Sequence, residues 1–125
     1  MIRKHKIFKV FIIAFILVSL VITPAYAGGI IDANYLYLEE YRGMGETILN
    51  VTVTGTTEGN VWGTGIYSDD SDISKAAVHA GIVKIGETKT VRITILPGQS
   101  SYVGTVQNGI ESYDYVEWEV QQMQL

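Results

Sequence analysis

One short stretch, residues 61–81 (VWGTGIYSDDSDISKAAVHAG), does most to limit what this chain can fold into. Its second half is the only convincing helix after the N-terminal apolar run. Asp69, Asp70 and Ser71 offer capping oxygens to amide groups that lack a helical partner. The carboxylates of Asp69, Asp70 and Asp72 suit the positive end of the helix dipole. Ile73, Ala76, Ala77 and Ala80 recur at helical spacing, and Gly81 stands where a left-handed C′ residue is wanted. So short a helix is unstable alone in water. Its alanines admit close neighbours, so the sequence predicts a core helix wrapped by strands.

The strands are written in twos. Leu49, Val51 and Val53 alternate with polar residues across 47–54, and Val91, Ile93 and Ile95 do so across 88–96. Val116, Trp118 and Val120 alternate with Glu117, Glu119 and Gln121 in a predicted closing strand over 115–121. Ile82-Val83 reads as extended, Lys84 to Glu87 as a turn, and Pro97-Gly98 and Asn108-Gly109 as turn pairs. Residues 99–112 read as a loop. Trp62 is expected to anchor the core above the helix. The 28–44 segment is either an edge strand around Tyr35 and Tyr37 or a loosely docked lead-in. Asn50-Val51-Thr52 matches a glycosylation sequon, but inside a strand the match is weak.

Arg3, Lys4, Lys6 and Lys9 precede an uncharged apolar run from Val10 to Ile22. Thr23-Pro24 and then Ala25-Tyr26-Ala27 follow, the pattern of a cleavable secretory signal peptide over residues 1–27. The run is shorter than the roughly 18 residues of a spanning helix. Secreted or periplasmic localisation is expected, with a mature form that does not span a membrane. Cleavage would leave five Lys and Arg against thirteen Asp and Glu, a net charge near −8. Such a chain is a poor partner for nucleic acid, which requires basic side chains against its phosphates. With no cysteine, residues 28–125 must fold on their hydrophobic core alone.

Several motifs then match a family in order. Residues 61–71 (VWGTGIYSDDS) and 76–81 (AAVHAG) resemble the LCCL domain, as do Leu96-Pro97-Gly98, Tyr102, Asn108-Gly109-Ile110 and Ser112. The resemblance covers roughly residues 45–125, with 28–44 as lead-in or linker. It implies a small, β-rich α+β domain with one central helix wrapped by two irregular antiparallel sheets. It also implies an extracellular binding role; lipopolysaccharide binding has been proposed for some members. Animal members carry cysteine pairs, whereas Ser74 stands in the helix where a cysteine would be, so this chain resembles cysteine-free microbial versions.

Trp62, Tyr67, Asp70, Ser71, His79, Gly81 and Gly109 belong to the shared motif and are expected to serve the fold. His79, the only histidine after the leader, is read as a core imidazole hydrogen-bonded to nearby groups. No nucleophile, base and orienting group stand together as a recognisable constellation. The aspartates lack the glycine and distal glutamate of an EF-hand, and one histidine without cysteine does not make a usual zinc site. No metal or cofactor is expected. Tyr102, Gln107 and Asn108 are the candidate ligand contacts. The leading function is a secreted, non-enzymatic module recognising an envelope glycan, lipopolysaccharide or a partner protein. The alternatives are a small hydrolase using His79 and a purely structural assembly subunit.

Overall fold

The computed structural model describes residues 14–19 and 29–116. Among the described residues ten strands and one α-helix follow in chain order: β1 (Ala14–Ser19), β2 (Ile30–Asp32), β3 (Ile48–Thr54), β4 (Gly63–Thr64), β5 (Ile66–Ser68), α1 (Ile73–His79), β6 (Thr88–Leu96), β7 (Ser101–Tyr102), β8 (Val106–Gln107), β9 (Ile110–Glu111) and β10 (Tyr115–Val116). Six of them form one sheet in the order β2-β3-β6-β1-β5-β4. Two ribbons, β10-β7 and β8-β9, complete a small α+β domain. Every pairing is antiparallel except β2 with β3.

The two long strands form where alternation predicts them. Leu49, Val51, Val53, Val91, Ile93 and Ile95 all face the core, with Val51 opposite Val91 and Leu49 opposite Ile93. Asn50 is also buried, at 2% exposure, so its amide is closed to an oligosaccharide in the folded chain.

The helix is capped one residue later than the first candidates. Asp72 is the N-cap, and its Oδ1 accepts from the Lys75 amide at 2.8 Å. Asp69 is instead drawn into the interior, where Arg42 meets it with Nε 2.6 Å from Oδ2. At the other end the Gly81 amide donates to the Val78 carbonyl and the Ile82 amide to the Ala77 carbonyl, both at 2.9 Å. This is a Schellman closure, and it needs the left-handed φ of +80° at Gly81. It also bends Ile82-Val83 out of the extended conformation expected for them. Ile73, Ala76, Ala77 and Val78 are buried among the sheet residues, and Ala80 packs against the same core.

The segment after residue 28 is docked to the sheet. Ile30–Asp32 adds β2 to the edge of β3, and two short 3-10 turns follow at Ala33–Tyr35 and Leu38–Tyr41. Tyr35 and Tyr37 point outward while Leu38 is buried at 2%. The edge strand expected around Tyr35 and Tyr37 does not form, because those residues lie in and beside the 3-10 turns; the strand that pairs with β3 is Ile30–Asp32. The predicted 99–112 loop contains three two-residue strands, too short for periodicity to reveal. Val116, expected to face inward, is 58% exposed, because it pairs with exposed Ser101 while Tyr115 pairs with buried Tyr102. Trp118 and Val120 lie outside the described residues.

Ala14–Ser19 lies inside the apolar run of the predicted leader. It occupies the middle of the sheet, with Phe15 opposite Ile95 on β6 and opposite Tyr67 on β5. Ala14, Phe15 and Leu17 are buried.

Candidate interaction surface

His79 lies on the last turn of α1 with no exposed surface. Its Nδ1 is 2.9 Å from the Tyr67 hydroxyl, and its Nε2 is 3.2 Å from the Thr105 carbonyl oxygen. Nε2 is also 3.2 Å from the Thr105 hydroxyl, so Thr105 meets that nitrogen with both its carbonyl and its hydroxyl while Tyr67 engages the other. The two rings meet edge to face, centroids 5.7 Å apart, and the Phe15 ring lies tilted against Tyr67, also at 5.7 Å. This knot ties three distant segments together: β5, the helix and the turn between β7 and β8.

Other bonds hold the same turn. The Thr105 amide donates to Ser112 Oγ at 2.9 Å, and the Ser112 amide donates to the Thr105 carbonyl at 2.8 Å. Thr64 Oγ1 donates to the Val103 carbonyl at 2.8 Å, and Gly104 donates to Asp114 Oδ1 at 2.8 Å. Asn108 and Gly109 sit at φ of +52° and +78° in the tight β8-β9 turn. Asn108 Nδ2 donates to the His79 carbonyl at 2.8 Å and so satisfies a free helix end.

The remaining motif residues also make contacts within the fold. Trp62 is half-buried; its amide donates to Ser71 Oγ at 3.0 Å, and Tyr113 forms a bridge beside it. Asp70 is exposed at its edge and accepts from Ser68 Oγ. Among the three proposed ligand contacts, Tyr102 is 2% exposed and its hydroxyl accepts from the Gln99 amide. Asn108 commits its amide nitrogen to the helix, and Gln107 points to solvent. Sequence reasoning missed the exposed apolar neighbours Val103 and Val106, 67% and 71% exposed. Gly104 and Thr105 separate them, a spacing that carries no strand periodicity. A shallow hollow of about 250 Å³ lies here, lined by Thr64, Ile66, Gln99, Ser101, Tyr102 and Val103 among others.

Burial holds the Tyr67 and Tyr102 phenols above their ordinary value of 10.0, against the opposing effect of backbone bonds at Gly65 and Gln99. The folded chain therefore holds these protons more tightly than the unfolded chain does. Their contribution is complete below the unfolded value and is lost as pH rises through the folded one. Urea midpoints are expected to stay level from pH 7 to about 9 and to fall above about 10. Tyr67→Phe should remove part of that fall. A slope unchanged in both Tyr67→Phe and Tyr102→Phe would place the alkaline sensitivity elsewhere.

The sequence model of the LCCL domain matches residues 38–122. The chain belongs to the LCCL domain family. The human cysteine-rich secretory protein LCCL domain-containing 2 is 40% identical over 52 residues, 42% of this chain and 10% of that protein. Mouse vitrin is 34% identical over 59 residues, 47% of this chain and 9% of vitrin. The transcriptional regulatory protein rxt3 of Schizosaccharomyces pombe is 39% identical over 56 residues, 42% of this chain and 16% of rxt3. The chain thus spans between about a tenth and a sixth of these relatives' lengths. No solved structure matches it. Among the described residues no helix is long and apolar enough to cross a membrane.

Proposed function

We propose that this LCCL domain is an exported, non-enzymatic interaction module. Its ligand surface is the face formed by β7, β8 and the turn between them, and its partner is an envelope glycan, lipopolysaccharide or envelope protein. One observation carries the reading: a turn bearing exposed Val103, Val106 and Gln107 is pinned from beneath by the buried Tyr67–His79–Thr105 knot. A pre-ordered surface binds without first losing the entropy of an unstructured loop. His79 itself has no open face toward a substrate and both its ring nitrogens are engaged, which argues against the hydrolase alternative. The apolar run, the Ala25-Tyr26-Ala27 site and the basic start support export with a mature N-terminus at Gly28.

The test is binding of the exported protein to envelope extracts, with intact mass read first to confirm a start at Gly28. Val106→Asp and Gln107→Ala together should weaken retention at least about tenfold while leaving the melt within a few degrees. A lost apolar contact and a lost hydrogen bond together account for that factor, each costing on the order of 1 kcal/mol. Retention unchanged in this variant would sink the surface assignment. A mass that includes the basic leader would sink the export reading.

A further inference from the structure

β1 precedes the cleavage site expected after Ala27. It is an interior strand, lying between β6 and β5 and pairing antiparallel with both. Removal of the leader therefore opens a slot inside the sheet. We propose that this slot is the docking site for a strand donated by a partner protein, an uncharged extended segment that reads small, aromatic, any residue, aliphatic. The proposal rests on the export reading above, because only cleavage vacates the slot.

The slot itself defines the chemistry of its occupant. Phe15 stands opposite Ile95 and Tyr67, Leu17 stands opposite Ile93, and all of these side chains are buried. The Phe15 and Tyr67 ring centroids are 5.7 Å apart, so the second station takes an aromatic ring. Ala14, on the other face, is wholly buried opposite Leu96 and Ser68, so the first station takes a small side chain. A charge on the core face would be buried without a partner.

The backbone supplies the rest of the recognition. The Ile95 amide donates to Thr47, toward β3, and the Ser68 amide donates to Trp62, beside β4. By alternation Arg92, Thr94 and Leu96 face the slot from one side and Tyr67 faces it from the other. Their backbone groups stay without ladder partners unless a strand lies between them. The mode is strand addition, with two edges to bond in place of the usual one.

Two anchors keep the slot from closing by collapse. β5 and β6 lie two strand spacings apart, roughly 9–10 Å. β6 is paired with β3 from Ile48 to Thr54, and β5 is tied to the helix by the Tyr67 hydroxyl, 2.9 Å from His79 Nδ1. Bringing the two strands together would break one anchor or the other. Among the described residues after Gly28 no stretch reads small, aromatic, any residue, aliphatic, so a different protein is the donor rather than a second copy.

The test uses the exported protein, with intact mass read first. Amide exchange is then followed with and without a synthetic peptide carrying AFILVS between lysine flanks, and with the same peptide bearing Phe15→Asp and Leu17→Asp. For a chain that starts at Gly28, the Arg92, Thr94 and Leu96 amides should exchange within about tenfold of the unstructured rate. The AFILVS peptide should slow them at least about 100-fold, and the aspartate peptide should leave them unchanged. The uncleaved full chain, with its own strand seated, should protect these amides with no peptide added. The Val91 and Ile93 amides face β3 and report whether the domain is folded. If they too are open without peptide, the domain needs the strand in order to fold, and AFILVS should protect all five amides. Three slot amides already protected in a chain starting at Gly28 would overturn the proposal and leave the export reading intact. An AFILVS peptide without effect, or one matched by the aspartate peptide, would do the same. A mass that retains the leader would sink both readings together.

Discussion

His79→Ala is expected to lower stability by about 3–5 kcal/mol, the largest single effect anticipated in this domain. The substitution removes a fully buried ring and opens a cavity between the helix and the β7-β8 turn. It also deprives the Tyr67 hydroxyl and Thr105 of the ring nitrogens they bond. A domain of this size has only about 5–10 kcal/mol to lose, so the melt should fall by at least about 12 °C. His79→Gln, which retains hydrogen-bonding atoms, should lose less. A thermal midpoint within about 3 °C of wild type in His79→Ala would contradict the knot. The proposed binding surface should fail in step with the fold, because Thr105 hangs from the same ring.

Leu38→Ala should follow closely, at about 3 kcal/mol. Leu38 is 2% exposed in the second 3-10 turn. Arg42, at the end of that turn, meets Asp69, whose side chain is wholly buried, at 2.6 Å. The family match also begins at residue 38. Arg42→Ala should cost less than the deletion of a fully buried partner, because the guanidinium is one-third exposed and solvent screens it. A loosely docked lead-in would instead tolerate Leu38→Ala within about 0.5 kcal/mol. Urea denaturation of the two variants separates these outcomes, and a change that small in Leu38→Ala would move the domain boundary past residue 42.

In this structure several of the shared motif residues bond within the fold. Ser71 ties Trp62 to the helix start, Gly81 lets the helix close, and Asn108 with Gly109 makes the turn that caps its end. Without cysteine, this hydrogen-bonded scaffold and the core hold the domain together. What such a scaffold leaves free is the outer side of the β7-β8 turn, and that is where a ligand surface is proposed.

What the sequence determined by itself is local. The alternation of Leu49, Val51 and Val53, and of Val91, Ile93 and Ile95, specifies strands because neighbouring side chains of a strand point to opposite faces. The helix over Ile73–His79, its Gly81 closure and the Asn108-Gly109 turn were legible because backbone sterics at one or two residues decide them. Which aspartate capped the helix was not legible, because Asp69 is claimed by Arg42, 27 residues away. Tyr102 reads in the sequence as a ligand contact or, better, as a core ring, and the fold leaves it 2% exposed, paired with Tyr115. The Asn108 amide looked free until the fold set it 29 positions back against the His79 carbonyl. The apolar run near the N-terminus carries the pattern of a leader, and nothing in it marks a place between β5 and β6. Sheet order and hydrogen-bond partners join residues far apart in the chain, so they are decided only when the whole core closes.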